Sequence, residues 1–242
     1  MKIRPIVTAA LLALIVGIGV PKVSPQRNQM PAPCLVGRQA PAIGFWTWSA
    51  NSIVKVYVRT QDFDPEQTSS LLKGLADWNS VSQETGAGVK FEYRGSTDTE
   101  LSCAGCLTVM RGVVFDKRQK HLTELKAYSA LHNQLITYAT IIVDPVLTNP
   151  KALLNAVQHE LGHNLGLLDC YTCERKSTVM NQFTGINKSN GLAGPTPCDI
   201  AQVREAYREL KVRVRPSPPN RNLIDEGEEP VDDDTPIVIP KP

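Results

Sequence analysis

The residues best suited to chemistry lie in one short stretch, which runs from His159 to Asp169 and reads HELGHNLGLLD. On a helix with about 3.6 residues per turn, His159 and His163 project from the same face, so both imidazoles can bind one metal ion. Glu160 stands beside that ion without ligating it, where a general base can take a proton from water. The spacing therefore predicts metal-assisted hydrolysis.

The residues after the second histidine predict a third ligand. Gly166 can adopt the left-handed conformation at little cost, so we expect the helix to end there and the chain to fold back. Asp169 is thereby returned towards the two imidazoles. Two neutral imidazoles and one carboxylate, with a fourth position open, are typical of catalytic rather than structural zinc. We therefore expect one catalytic Zn²⁺ bound by His159, His163 and Asp169.

Two alternatives stay open for this stretch. An amphipathic helix can carry both histidines as ordinary core or surface residues without any metal. Asp169 can also serve only to cap the turn after Gly166, while another residue such as His132 completes the site. His121 and His132 lie between predicted strands and have no ligand-type spacing to a partner. We interpret both as solvated loop histidines.

The pattern as a whole resembles the signature of a known family. HELGHNLGLLD is similar to the zinc-binding motif of the metzincin peptidases, with Asp in place of the usual third His, as in the snapalysin-like branch. The stretch Ser177 to Asn181, STVMN, resembles the Met-turn of that family, in which a methionine, here Met180, lies beneath the metal. Gln182 follows where astacin-like and serralysin-like members have a tyrosine. The resemblance therefore implies a matrixin-like or snapalysin-like site without a tyrosine helper.

This resemblance covers residues 149 to about 210 and implies both a fold and an activity. The implied fold is α+β and metzincin-like: a twisted, mostly parallel sheet packed on two helices, then the zinc-binding helix, the Met-turn and a C-terminal helix. The implied activity is that of a zinc metalloendopeptidase acting on protein or peptide substrates, with Glu160 as general base. A structural Ca²⁺ stays open, since no calcium motif is readable.

Functions from two other classes compete with the peptidase. A non-catalytic binding or adhesion module would keep the metzincin-like fold and a metal, but it has no physical need for the carboxylate of Glu160. An exported thiol-active protein would use the two Cys-x-x-Cys pairs, but these lack the strand-to-helix setting of thioredoxin-like sites. We therefore favour the peptidase.

The first 22 residues differ in composition from the rest of the chain. Lys2 and Arg4 precede an apolar or small run from Ile6 to Val20. This run is shorter than the ~20 residues needed to span a bilayer, so residues 1–22 are predicted to be a signal peptide. An uncleaved N-terminal anchor is the alternative. We therefore expect a secreted, periplasmic or cell-surface protein with no stable membrane span after processing.

All six cysteines follow this leader: Cys34, Cys103, Cys106, Cys170, Cys173 and Cys198. An even number in an exported chain predicts up to three disulfides, with the connectivity left open. The pairs Cys103–Cys106 and Cys170–Cys173 can instead form a four-thiolate zinc site. Disulfides among Cys170, Cys173 and Cys198 would hold the loop that contains the Met-turn.

The remaining composition predicts one domain with two flanking segments. The 242 residues carry a formal charge of +2, and no basic cluster with interleaved aromatics indicates a nucleic-acid partner. The Pro-rich residues 23–44 are predicted to be a linker or short pro-segment. Residues 45–212 form the predicted catalytic domain, expected to be a monomer. Residues 213–242 form a Pro-rich acidic tail, predicted to be disordered.

Alternation and capping signals predict the elements of the domain. Strands are predicted at 54–59, 89–94, 107–114, 127–131 and 136–143, with 127–131 at an edge and 136–143 at the centre. Asp64 and Gln67 predict the start of a helix that runs to about Trp78. Asn149 is the predicted N-cap of the site helix, and Thr196 begins the last helix.

Overall fold

The computed structural model describes residues 34–44, 46–114, 123–129, 135–181, 192–213 and 237–238. These residues contain six strands, three α-helices and a short 3-10 helix, Thr60–Asp62. The strands are β1 (Ile53–Val58), β2 (Lys90–Ser96), β3 (Cys106–Arg111), β4 (Thr123–Tyr128), β5 (Tyr138–Val143) and β6 (Ile237–Val238). The helices are α1 (Pro65–Thr85), α2 (Pro150–Asn164) and α3 (Pro197–Arg213).

The strands form one mostly parallel sheet in the order β2-β1-β3-β5-β4-β6. Strand β1 pairs in parallel with β2 and β3, and β3 pairs in parallel with β5. Strand β4 is antiparallel both to β5 and to the two residues of β6. The α+β class with a mostly parallel sheet is therefore confirmed. Strand β5 lies inside the sheet, as expected for its apolar sequence.

The core lies between the sheet and the first two helices. Val54, Val56 and Val58 alternate along β1 and are buried, which is the pattern of a strand with one covered face. Their side chains join those of α1 and α2 in one apolar cluster. Trp78 of α1 is fully buried, and its indole N–H donates to the carbonyl oxygen of Gln158 in α2 at 2.8 Å. Helix α1 thereby packs against and stabilises the helix that carries the histidines.

Helix α1 begins as predicted but ends later. The carboxylate of Asp64 accepts from the Gln67 backbone N–H at 2.8 Å, and the Gln67 side chain accepts from the Asp64 N–H at 3.2 Å. This reciprocal pair is the predicted capping box. The prediction that the helix ends near Trp78 is wrong, because buried positions continue to the last turn. The helix ends only at Thr85, where Gly86 adopts a left-handed φ of 72°.

The strand predicted at Ala127–Leu131 is displaced in the structure. Strand β4 runs from Thr123 to Tyr128, and residues 130 and 131 lie outside the described residues. Thr123, Leu125 and Ala127 form its buried face, and the polar threonine concealed the start of this alternation. Strand β6 lies on its outer side, so β4 is not the edge strand that was predicted.

The six cysteines form three disulfides: Cys34–Cys198, Cys103–Cys106 and Cys170–Cys173. The expected disulfides are therefore present. The alternative four-thiolate zinc site is not formed, because each Cys-x-x-Cys pair closes on itself. The long-range disulfide attaches residue 34 to the first turn of α3.

Several predicted segments lie outside the described residues. These are the signal peptide at residues 1–22, the linker up to residue 33, and residues 214–236 and 239–242 of the acidic tail. His121 and His132 also lie outside them. Within the described part of the chain, every helix is too short or too polar to cross a lipid bilayer.

Candidate metal centre

The helix that carries the histidines begins where the sequence predicts. The side-chain oxygen of Asn149 accepts from the backbone N–H groups of Lys151 and Ala152 at 3.0 and 3.1 Å. Farther along α2, His159 and His163 are both buried, with ring centroids 4.8 Å apart. Helix α2 therefore presents both imidazoles on one face, one turn apart.

The chain reverses direction at Gly166, as predicted. Its φ of +88° is left-handed, and a Cβ there would lie 3.4 Å from the Cβ of Ala206. After the turn, Asp169 Oδ1 lies 2.8 Å from His159 Nε2 and 3.5 Å from His163 Nε2. The three candidate ligand atoms lie within 4.8 Å of one another. The structure thus brings together the residues that the sequence predicts as ligands.

Backbone carbonyls determine which imidazole nitrogens face Asp169. The Val179 oxygen lies 3.1 Å from His159 Nδ1, and the Leu167 oxygen lies 2.7 Å from His163 Nδ1. A carbonyl only accepts, so each Nδ1 carries the hydrogen and each Nε2 of a neutral ring exposes its lone pair. The lone pairs of two such nitrogens repel a carboxylate oxygen that faces them, so a proton or a cation is needed between these atoms. The three residues can therefore hold a metal ion with nitrogen and oxygen ligands.

The charges of this group are strongly coupled. Burial opposes protonation of His159, but the hydrogen bond to Asp169 and the charges of Asp169 and Glu160 together raise the pKa of this imidazole. Burial also opposes ionisation of Asp169, but its hydrogen bonds to His159 and His163 hold the pKa of this carboxyl well below its usual range. Asp169 is therefore anionic at neutral pH, as a metal ligand must be.

Glu160 is buried beside the candidate ligands with its two carboxylate oxygens in different environments. Its Oε1 accepts a hydrogen bond from the hydroxyl of Thr123 at 2.7 Å. Its Oε2 is buried and has no hydrogen-bond partner among the described residues. An unpaired buried oxygen is costly, and a chemical task, a bound ion or a bound water can account for it. Glu160 therefore has one anchored oxygen and one available oxygen.

The predicted Met-turn, residues 177–181, lies directly against α2. Met180 is fully buried, and a Cβ placed on Gly162 would clash with the Met180 sulfur. The Met180 N–H donates to the hydroxyl of Thr178 at 2.9 Å, and the Met180 carbonyl accepts from the Cys170 N–H at 2.8 Å. The turn thus connects the helix of the histidines with the segment that follows Asp169.

A buried carboxylate at the start of α3 holds this turn in place. Asp199 accepts from the Thr178 hydroxyl, from the Val179 N–H at 3.1 Å and from the Thr196 N–H at 2.8 Å. Burial raises the pKa of Asp199, and these hydrogen bonds oppose that rise. Because the Val179 carbonyl also accepts from His159 Nδ1, α3 orients one histidine through residues 178 and 179. The sequence pattern predicted the start of this helix at Thr196 but assigned no role to Asp199.

A tyrosine contacts the candidate ligands, although none was predicted to do so. The hydroxyl of Tyr171 donates to Asp169 Oδ2 at 3.0 Å, which leaves Oδ1 directed at the imidazoles. Gln182, on which the absence of a tyrosine helper was predicted, lies outside the described residues. The spacing between Asp169 and Tyr171 gave no signal, because only the chain reversal brings them to the histidines.

Residues 34–44 pack beside the site, although they belong to the Pro-rich stretch 23–44 that is predicted to be a linker or short pro-segment. The Gly44 N–H donates to the Gly166 carbonyl at 2.7 Å, and the Ala42 carbonyl accepts from the Leu168 N–H at 2.9 Å. These two bonds flank the turn that returns Asp169 to the histidines. No local periodicity marks such a contact, so sequence patterns could not reveal it.

No protein-family model matches this sequence, and no curated protein is detectably similar to it. Among solved structures, the chain is similar to the crystal structure of metalloproteinase-II from Bacteroides fragilis, with 10% identity and a TM-score of 0.40. The alignment covers 73% of this chain and 59% of that chain, so this chain spans less than two thirds of its length. At that distance the likeness carries no argument about function, which rests on the geometry of the site.

Proposed function

We propose that this chain is an exported, zinc-dependent endopeptidase with a metzincin-like fold. The observation that carries the proposal is the convergence of His159 Nε2, His163 Nε2 and Asp169 Oδ1 beside the buried carboxylate of Glu160. The chain order of sheet, site helix, Met-turn and C-terminal helix supports the metzincin-like assignment. The presence of Glu160 favours a peptidase over a binding module that only retains the metal.

In this proposal His159, His163 and Asp169 hold the zinc ion. Lewis acidity is the chemistry that bound zinc supplies, because it makes water more acidic and polarises a peptide carbonyl. The carbonyls of Val179 and Leu167 keep the imidazoles in the tautomer that a metal requires. The protein therefore supplies a preorganised ligand set.

Glu160 performs the proton transfers. Its available Oε2 takes a proton from the attacking water, and the carboxylic acid so formed gives that proton to the leaving amine nitrogen. The oxygen of water ends on the carbonyl carbon as the C–N bond breaks, so water is added across the amide. A positioned general acid–base of this kind contributes about 10²- to 10⁴-fold to the rate.

The proposed substrates are proteins or peptides outside the cytoplasm. Three disulfides join residues of the described chain. Such bonds persist in oxidising compartments, which supports export. The apolar run from Ile6 to Val20 after Lys2 and Arg4 supports a signal peptide as the route.

Substitution of Glu160 tests the proposed function. Glu160→Gln keeps the shape of the side chain and the three ligands, so the variant should bind zinc as the wild type does. Its turnover of a peptide library should fall by about 10²-fold or more, because the proton carrier is lost. Glu66→Gln, at an exposed position in the first turn of α1, is the matched control and should be fully active.

Two results would contradict the proposal. A Glu160→Gln variant that keeps more than about a tenth of wild-type turnover would show that Glu160 is not the general base. A wild-type protein that binds zinc but cleaves no peptide in the library would favour the non-catalytic binding module.

A further inference from the structure

We propose that Thr123 is a positioning residue for Glu160, holding one carboxylate oxygen so that the other faces the reacting water. This inference rests on the proposed function, because it concerns the proton transfers assigned to Glu160. Its basis is the 2.7 Å hydrogen bond from Thr123 Oγ1 to Glu160 Oε1, together with the lack of a hydrogen-bond partner for Oε2 within the described part of the chain. Both residues are buried, so the bond is shielded from competing water.

The donor and the acceptor sit on rigid elements of the fold. Thr123 is the first residue of β4 and pairs with Val143 of the interior strand β5. Threonine is branched at Cβ, which restricts the direction of its hydroxyl. A glutamate side chain has several rotatable bonds, and an unanchored carboxylate would spread over several rotamers. The hydrogen bond therefore selects one orientation of Glu160.

The same hydrogen bond can persist through the proposed reaction. When Glu160 is ionised, Oε1 accepts from Thr123 as a carboxylate oxygen. When Oε2 has taken the proton, Oε1 is the carbonyl oxygen of the acid and still accepts. The anchor thus needs no rearrangement while the proton is gained and then given away. A fixed donor of this type preorganises the base for both transfers.

Among the described residues, the fold provides a hydrogen-bond donor for only one of the two buried oxygens of Glu160, which is Oε1. The asymmetry favours a task for Oε2 and an anchor at Oε1.

The test compares variants that differ by one hydroxyl group. Thr123→Val keeps the branched shape and removes the donor, whereas Thr123→Ser keeps the donor. Thr140→Val is the matched control, because Thr140 is a buried strand residue whose hydroxyl donates to another carboxylate, Glu100, at 2.6 Å. Thr140→Val thus removes a similar hydrogen bond that does not involve Glu160.

We expect Thr123→Val to lower kcat about 10- to 100-fold, a part of the general acid–base contribution, with KM and zinc content unchanged. Thr123→Ser should restore kcat to within a few-fold of the wild type. Thr140→Val should leave kcat unchanged, even if both valine variants unfold at a similar, lower temperature. A loss confined to kcat and rescued by serine is not expected from a general loss of stability.

A second readout does not depend on activity. In the zinc-free protein, the infrared carboxylate stretch of Glu160 should shift between the wild type and Thr123→Val, because a hydrogen bond changes that vibration. The shift should be absent when the same threonine change is made in the Glu160→Gln background, which has no carboxylate at this position. This spectrum reports the hydrogen bond directly.

Three outcomes would overturn the inference. The first is an active wild type with an equally active Thr123→Val variant, which leaves the proposed function intact. The second concerns the case in which Thr123→Val does not fold. Equal kcat values for Thr123→Ala and Thr123→Ser would then overturn the inference. The third is an inactive wild type that binds zinc, which removes the proposed function and this inference together.

Discussion

At the scale of single residues, Asp169 distinguishes this site from one with three imidazoles. Its carboxylate touches both histidines through Oδ1 and receives the Tyr171 hydroxyl on Oδ2. It also brings a negative charge that a third imidazole would not. The role of Asp169 as a ligand can therefore be tested separately from the roles of His159 and His163.

Asp169→Ala should lose zinc affinity and activity together, since only two imidazoles remain to hold the ion. Asp169→His should keep substantial activity, because zinc binds nitrogen and oxygen at similar distances, ~2.0 to 2.2 Å. Metal analysis of the purified variants measures both effects. Retention of zinc by Asp169→Ala, combined with loss of zinc by His132→Ala, would instead assign the third ligand to His132.

At the scale of elements, the contact between α2 and the predicted Met-turn depends on a glycine inside the helix. A Cβ on Gly162 would clash with Met180 and lie 3.2 Å from the Trp78 ring. Gly74 of α1 is the matched position, because a Cβ there would meet its neighbours at ordinary distances of 3.5 Å or more. Alanine substitutions at the two glycines therefore distinguish the effect of helix propensity on stability from the effect of packing.

Gly74→Ala should stabilise the protein by about 0.5–1 kcal/mol, since alanine is the better helix former. Gly162→Ala should instead destabilise it by about 1–3 kcal/mol, because Met180 and Trp78 must move in a packed core. Urea unfolding of both variants measures the difference. Equal stabilisation by the two changes would show that Met180 does not pack against Gly162 as described.

Elements with strong local signals were predictable from the sequence. The N-cap at Asn149, the spacing of the histidines in α2 and the reversal at Gly166 each depend on a few adjacent residues. The start of β4 was not predictable, because a polar threonine occupies its first buried position. The contact of Thr123 with Glu160 was not predictable for a different reason, since it joins residues that are far apart in sequence.

At the scale of the whole molecule, disulfides were predictable but their pairing was not. Six cysteines allow about 15 connectivities, and local patterns do not distinguish them. The structure pairs Cys34 with Cys198 across a sequence separation of 164 residues. This disulfide attaches the start of residues 34–44 to α3, although they belong to the Pro-rich stretch 23–44 that is predicted to be a linker. The pairing of the cysteines and the attachment of residues 34–44 both depend on tertiary contacts, which local sequence patterns do not show.

Removal of the long-range disulfide should cost more stability than removal of a short one. Cys34→Ser with Cys198→Ser should lower the free energy of unfolding by about 2–5 kcal/mol, because the bond restricts a large loop of the unfolded chain. Cys103→Ser with Cys106→Ser should cost less, since that bond has a sequence separation of 3. Denaturant unfolding compares them, and mass spectrometry should find no free thiol in the wild type. Six free thiols would contradict the disulfide assignment.

The central claim is that the convergent group of His159, His163 and Asp169 holds a zinc ion needed for peptide hydrolysis. Metal analysis combined with a peptide-cleavage assay, before chelation, after chelation and after zinc is returned, tests it most directly. We expect about one zinc per chain, loss of cleavage on chelation, and recovery when one equivalent of zinc is added. Cleavage that persists after the metal is removed, or a protein that takes up no zinc, would contradict it.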